Sequence, residues 1–217
     1  MSALRVFLVD DHPVVRAGFR AIIEDEPDLV VVGEASSASE ARGALAQTVA
    51  DVVVADLGLE GADGLELVKA LHMSHAGLPV LIVSMHDEQL YAARALQAGA
   101  RGYLTKDKAV ETLASGIRQV ARGGLFVSRE VAATLAARTA APGDGAGSLL
   151  SGLTDRELEV LQRLGEGRTT REVAELLHLS VKTIESHRAN LKRKLDLRNA
   201  VELTRVAVLY EQGLLTP

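Results

Sequence analysis

The sequence predicts a parallel α/β sheet covered by helices on both faces, followed by a separate all-helical unit containing a helix-turn-helix. Three observations carry this expectation. Short β-branched runs alternate with helical periodicities through the first half of the 217 residues. A stretch of small residues, Thr139 to Ser148, then interrupts all periodicity. Beyond it the pattern is helical only, with clear helix-start signals.

The apolar runs are Leu4–Val9, Leu29–Val32, Asp51–Ala55, Pro79–Val83 and Arg101–Leu104, and they recur every 20 to 28 residues. That spacing is what a strand plus a crossover helix requires. Helical stripes fall between them: Val15, Phe19, Ile22 and Ile23; then Gly64, Leu67, Val68 and Leu71; then Val110, Leu113 and Ile117. Five βα units follow in series. A further helix is expected from Arg129 to Arg138, running into the flexible segment. Three regions result: residues 1–127, a helical and flexible linker over 128–148, and residues 149–217.

In the last region Thr154 and Glu157 form a capping box, and Leu153 with Leu158 a hydrophobic staple. Thr169 with Glu172 starts a second helix, which ends near His178. Ser180 caps a third, running to about Leu195, and a fourth spans about Asn199 to Tyr210. The tight link His178-Leu179-Ser180 makes the second and third helices a helix-turn-helix.

Composition narrows the function. With no cysteine, thiolate metal sites and thiol nucleophiles are excluded. The first ten residues reach acidic residues too early for a signal peptide, and no apolar run approaches the length of a membrane span, so a soluble cytoplasmic protein is expected. The net charge of −5 is unevenly divided. Residues 1–127 hold 11 Lys and Arg against 17 Asp and Glu, whereas residues 180–198 hold 6 against 2. Positive charge is thus concentrated on the third helix of the last region, a local footprint for double-stranded DNA.

Chemistry-bearing residues of the first region fall where strands stop: Asp10 and Asp11, Asp56, Ser84, and Lys106 just beyond the fifth run. In a parallel sheet these emerge on one edge. Carboxylates brought together there repel by about 4 kcal/mol for a pair 4 Å apart at an effective dielectric near 20. A hard divalent cation such as Mg²⁺ relieves that repulsion and bridges to phosphate oxygens. Asp56 can then act as a carboxylate nucleophile toward a phosphoryl group, with Lys106 neutralising the transferred oxygens and Ser84 bonding the product. The competing structural reading is that Asp11, Asp63 and Asp87 simply cap helices.

The motifs Val-Asp10-Asp11-His-Pro-Val-Val-Arg, Asp56-Leu-Gly-Leu-Glu-Gly-Ala-Asp-Gly64, Ser84-Met-His-Asp and Gly102-Tyr-Leu-Thr-Lys106-Asp resemble the receiver domain of two-component response regulators over about residues 3–125. The resemblance implies a doubly wound, flavodoxin-like five-stranded fold and phosphorylation of Asp56 by a partner histidine kinase. It also implies Mg²⁺ held by Asp10, Asp11, Asp56 and the Gly58 carbonyl, and a switch made of Ser84 and Tyr103. Glu60 departs from the family pattern, which places proline four residues after the acceptor.

On the third helix of the last region, Ile184, His187, Leu191 and Leu195 form an inward face. Lys182, Glu185, Ser186, Ala189 and Arg193 form a polar stripe suited to a major groove, flanked by Arg188, Lys192 and Lys194 for phosphates. Leu153-Thr-Asp-Arg-Glu157-Leu-Glu-Val-Leu161 with Glu172 through Ser180-Val-Lys-Thr183-Ile-Glu-Ser-His187-Arg resembles the LuxR-type DNA-binding domain, so Thr183 and His187 join the expected DNA-contacting set. Joined to a receiver, this is similar to the NarL/FixJ family of transcriptional regulators, which implies a homodimer on paired half-sites with contacts through Val201 and Val208. Two rivals stand beside this reading. One is a Mg²⁺ phosphohydrolase, disfavoured because Gly58 stands where an acid is expected. The other is a regulator whose receiver only dimerises, without phosphorylation.

Overall fold

A computed structural model of the chain describes residues 3–59, 64–140, 150, 152–177, 179–212 and 214–215. It divides into two compact units, Met1–Pro142 and Gly143–Pro217. The Glu60 and Asp63 expectations lie outside the described residues, as does His178 at the expected end of the second helix.

The first unit alternates β1 (Leu4–Val9), α1 (Pro13–Glu24), β2 (Leu29–Ala35), α2 (Ala38–Leu45), β3 (Val52–Ala55), α3 (Gly64–Ser74), β4 (Val80–Ser84), α4 (Glu88–Gln97), β5 (Gly102–Thr105), a 3₁₀ turn (Lys106–Lys108), α5 (Ala109–Ala121) and α6 (Arg129–Ala140). The strands form one parallel sheet in the order β2-β1-β3-β4-β5. This is the doubly wound order, with the reversal of direction at β1 and β3. β3 and β4 are wholly buried because helices cover both of their faces, while β2 at the edge keeps Val30 in solvent. Val6, Leu8, Val52, Val54, Leu81 and Val83 point to one face and pack with Phe19 and Ile23 of α1 and Leu113 and Ile117 of α5.

The stripe expected on α5 needs one correction. Val110 is 73% exposed, and Ala109, fully buried, takes its place beside Leu113 and Ile117. Both positions lie within one turn of Leu113, but the buried face of α5 runs through Ala109, Leu113, Gly116, Ile117 and Val120, and Val110 lies off it.

Residues 128–140, within the stretch expected to be a linker, open with a packed helix. α6 lies against α4, Val131 is buried, and the Ser128 amide donates to Glu88 Oε1 at 2.6 Å. Just before it, Phe126 bridges to Gly102: the Tyr103 amide donates to the Phe126 carbonyl at 2.8 Å and the Phe126 amide to the Arg101 carbonyl at 3.0 Å. The chain leaving α5 therefore extends the sheet along β5 before turning into α6.

The second unit comprises α7 (Asp155–Gly165), α8 (Thr170–Leu176), α9 (Val181–Lys194) and α10 (Ala200–Glu211). Both expected capping boxes are present, Thr154 with Glu157 and Thr169 with Glu172, and Ser180 and Asn199 cap α9 and α10. The staple residues Leu153 and Leu158 are both buried. α7 packs on α9 and α10, and α8 on α9. A Cβ on Gly165 would stand 2.3 Å from the Ala207 carbonyl oxygen, so glycine is what lets α7 and α10 approach this closely.

Candidate metal centre and nucleic-acid interface

The strand ends gather the expected acidic site. Asp10 follows β1, and Asp56, whose amide donates to the Val9 carbonyl at 2.8 Å, follows β3. A Cβ on Gly64, the first residue of α3, would sit 2.5 Å from the Leu57 carbonyl oxygen and 2.8 Å from that of Asp56, so α3 can begin directly against the turn that follows Asp56 only with glycine there. One carboxylate oxygen from each of Asp10, Asp11 and Asp56, together with an imidazole nitrogen of His12, lies within 4.8 Å of the others. Three carboxylates converging on one point form a hard oxygen donor set of the kind that suits Mg²⁺.

Lys106 reaches into this group from the end of β5. Its Nζ donates to Asp10 Oδ2 and to Asp56 Oδ2, each at 2.7 Å. All three side chains are sheltered: Asp10 is 2% exposed, Asp56 6% and Lys106 9%. Burial alone would lower the lysine pKa, but the Asp56 and Asp10 carboxylates outweigh it and hold Lys106 above its usual value. The ammonium is therefore a fixed positive charge at the acceptor oxygen.

Gly58 follows closely, its amide donating to Asp56 Oδ1 at 3.2 Å. Ser84 is fully buried at the end of β4, and its Oγ accepts from the His86 amide at 3.2 Å. Tyr103 is buried in β5 with its hydroxyl donating to the His86 carbonyl at 3.1 Å. The two switch candidates thus meet at one loop, β4 to α4. The capping reading holds for Asp87, which accepts from the Gln89 amide at 2.7 Å, while Asp10 accepts from the His12 amide at 2.8 Å and also serves the site.

Three contributors were not picked out as site residues in the sequence. His12 Nδ1 lies 2.6 Å from Asp11 Oδ1. His86 faces Gly58, where a Cβ would stand 3.6 Å from its Nε2 and 4.0 Å from the Asp56 carboxylate oxygens. Arg16 donates to the Asp10 carbonyl. Its position one turn into α1 was the available signal, because helical side chains lean back over the turn before them.

In the second unit, α9 divides as expected. Ile184, Leu191 and Leu195 are buried and His187 half-buried, whereas Lys182, Glu185, Ser186, Ala189 and Arg193 are exposed along one stripe. Thr183 is half-buried, and its hydroxyl meets Ser180 Oγ at 2.7 Å at the helix start. Burial, reinforced by the nearby Arg156 charge, lowers the His187 pKa, so the imidazole is neutral at neutral pH. Arg188, half-buried like Lys192, donates to Thr170 Oγ1 and so ties α9 to the start of α8. Lys194 departs from its expected phosphate role: its Nζ donates to Glu157 Oε2 at 2.7 Å, which also accepts from the Thr154 amide at 2.9 Å. Burial works against ionisation of Glu157, but Lys194 and the Thr154 amide hold its pKa below the usual carboxylate value. On α10, Val201, Thr204, Arg205, Val208 and Leu209 line a shallow, mostly apolar groove, with Val201 77% exposed.

An acidic edge with an embedded lysine in one unit and a basic helix-turn-helix in the other define a signal-responsive transcription regulator. Comparison with known proteins narrows the class to a family. Residues 6–118 match the response regulator receiver domain, and residues 151–207 match the bacterial regulatory proteins of the luxR family. The response regulator UvrY of Escherichia coli K12 is 36% identical over 207 residues, covering 95% of this chain and 94% of UvrY. The transcriptional regulatory protein UhpA of Salmonella typhimurium is 38% identical over 200 residues, covering 92% and 95%. Among solved structures, RcsB from Salmonella enterica serovar Typhimurium, bound to promoter DNA with a phosphomimetic beryllium fluoride, is 26% identical with a TM-score of 0.57, covering 95% of this chain and 100% of that one. The chain belongs to the two-component response regulators of NarL/FixJ type, a receiver joined to a LuxR-type DNA-binding domain. Among its described residues no helix is long and apolar enough to cross a membrane.

Proposed function

We propose that Asp56 is the phosphoryl acceptor through which a cognate histidine kinase controls DNA binding by α9, in the cytoplasm. The observation that carries this reading is the Lys106 ammonium, 2.7 Å from both Asp10 and Asp56 at the carboxyl edge of the sheet. An Asp56 oxygen attacks the phosphorus of the kinase phosphohistidine; the new O–P bond forms as the P–N bond breaks, and the departing imidazole keeps the electron pair. Lys106 holds positive charge where the transferred oxygens arrive. Asp10, Asp11, Asp56 and the Gly58 carbonyl would hold Mg²⁺, which when bound neutralises charge on the phosphoryl oxygens. The protein catalyses its own phosphorylation and no other turnover.

Ser84 then exchanges its bond to the His86 amide for one to the phosphoryl group, and Tyr103, bonded to the same loop, secures the new arrangement. Moving a population from 1:99 to 99:1 takes about 5.5 kcal/mol, to which a phosphoryl group contributes about two negative charges at one point.

Under this reading residues 1–127 are the receiver, 128–148 the linker, whose first part rides on α4, and 149–217 the DNA-binding domain. Lys182, Thr183, Glu185, Ser186, Ala189 and Arg193 approach the major groove, Arg188 and Lys192 approach phosphates, and His187 supports the helix from behind. The apolar groove around Val201 and Val208 supports pairing of two copies on double-stranded DNA.

Asp56→Asn should abolish labelling of the full chain by a small-molecule phosphodonor in the presence of Mg²⁺. Undiminished incorporation would remove Asp56 as acceptor. DNA affinity that is equal with and without a phosphoryl mimic would favour the phosphorylation-independent rival.

A further inference from the structure

Arg16 sits on α1 one turn past His12, and its amide closes that turn on the His12 carbonyl at 3.0 Å. Its side chain runs back over the β1–α1 junction, the direction a helical side chain takes. There the guanidinium makes two bonds at once. One amino group donates to the main-chain carbonyl of Asp10 at 2.5 Å, and Nε donates to Glu34 Oε2 at 3.1 Å.

With that bond every polar group of Asp10 is engaged. Its amide donates to the Ala35 carbonyl at 3.2 Å, Oδ1 accepts from the His12 amide at 2.8 Å, and Oδ2 accepts from Lys106. The carbonyl held by Arg16 belongs to the peptide that joins Asp10 to Asp11. Fixing that peptide plane fixes the N–Cα bond of Asp11, the axis about which its side chain is placed.

We infer that Arg16 is a positioning residue for the acidic site, holding the Asp10–Asp11 peptide so that both carboxylates face one cation. The inference rests on the reading of these aspartates as Mg²⁺ ligands. A positive charge this close would by itself weaken binding of a divalent cation. Glu34 offsets it: Oε2 takes Arg16 while Oε1 accepts from Arg20 at 2.8 Å, and Arg20 pairs in turn with Glu24 at 2.9 Å. Two arginines and two glutamates leave the cluster with no net charge, so what Arg16 supplies is geometry. A lysine cannot reproduce it, because a single ammonium lacks the planar fork that serves two acceptors at fixed angles.

Calorimetric titration of the full chain with MgCl₂ tests this, with thermal unfolding run beside it. Arg16→Met should weaken Mg²⁺ binding about tenfold, the scale on which outer-shell partners act on metal affinity. Arg16→Lys should recover only part of that loss. Glu34→Gln, which keeps Arg16 but unbalances its charge, should weaken binding as well and serves if Arg16→Met does not fold. Wild-type or tighter Mg²⁺ binding by Arg16→Met would overturn the inference, as would a lowered unfolding temperature with Mg²⁺ affinity intact, the mark of a merely structural role. A wild-type protein that binds no Mg²⁺ would instead overturn the metal-site reading on which the inference stands.

Discussion

The two units handle charge in opposite ways. In the first, Asp10, Asp56 and Lys106 are drawn out of water and held at 2.7 Å contacts, a cluster whose balance of charge changes with any ligand it takes. In the second, the charges of α9 that face solvent are left open, while Lys194 at the end of the helix is engaged by Glu157. A buried cluster responds strongly to one added phosphoryl group because the local dielectric is low. An exposed stripe acts through many weak, salt-screened contacts. Chemistry in one unit and recognition in the other follow from that difference.

The largest expected effect breaks the buried cluster. Lys106→Met removes the cation that pairs with both Asp10 and Asp56, and phosphorylation should slow about 100-fold, the scale of losing one preorganised charge-stabilising donor. Mg²⁺ affinity should rise in the same variant, because the carboxylates lose a competing positive charge. Measuring both on one preparation separates acceptor chemistry from metal binding. An unchanged rate of phosphorylation would show that the ammonium is only a structural counter-ion.

Next in size is a change in the second unit that touches no charge. Gly165→Ala places a methyl group 2.3 Å from the Ala207 carbonyl oxygen and 2.8 Å from Glu211 Cβ, so α7 and α10 must separate. Overpacking of this kind costs about 1–3 kcal/mol. Calorimetry of the full chain should show the transition of the DNA-binding unit moving to lower temperature, with phosphorylation of Asp56 unaffected. Equal shifts in both units would mean that they do not unfold separately.

These two sites also differ in how far they could be read from sequence. The acidic site was legible because strand ends in a parallel sheet share one edge, so Asp10, Asp11, Asp56, Ser84 and Lys106 needed no distances to be grouped. The helix starts at Thr154, Thr169 and Ser180 were legible because capping is local, spanning three residues. Gly165 was not, since its neighbour Ala207 lies beyond two intervening helices, α8 and α9, in sequence. Nor was the Glu157–Lys194 pair, in which a residue already assigned to a cap turns out to hold the far end of α9 as well. Val110 misled because an apolar residue at the right spacing outranks alanine in any pattern count, whereas the inward face of α5 runs through Ala109, Leu113, Gly116, Ile117 and Val120. Arg16 and Ser128 were missed because each bond runs through a main-chain group, the Asp10 carbonyl in one case and the Ser128 amide in the other, and such pairings leave no periodicity.

The open stripe should respond in proportion rather than all at once. Arg193→Ala should weaken DNA binding modestly and lower the slope of log affinity against log salt by about 1 if Arg193 meets a phosphate. If it reads a base instead, discrimination among sites falls by about 1–3 kcal/mol with the slope nearly unchanged. Stability should stay within about 0.5 kcal/mol of wild type, as for surface substitutions generally. A large loss of stability would contradict the view that this face is held for recognition.

The smallest effect tests whether the helix ends of the second unit carry any strain. Left-handed positions in the first unit are glycines, Gly77, Gly99 and Gly123, and Gly167 follows the same rule in the second. Asp196, at φ 52° just past α9, is the non-glycine exception among the described residues. It closes the helix in a Schellman arrangement, with the Leu197 amide donating to the Lys192 carbonyl at 2.8 Å and the Asp196 amide to the Arg193 carbonyl at 3.4 Å. A left-handed conformation costs an ordinary residue about 1–2 kcal/mol, against which glycine gives back about 0.5–1 kcal/mol in unfolded-chain entropy. Asp196→Gly should therefore stabilise the unit by about 0.5 kcal/mol, a rise of about 2–4 °C in its Tm. It also removes one of the two acidic residues between 180 and 198, so nonspecific DNA affinity should rise slightly at low salt. A fall in Tm would mean that the Asp196 carboxylate contributes more beside Lys192, Arg193 and Lys194 than its backbone conformation costs.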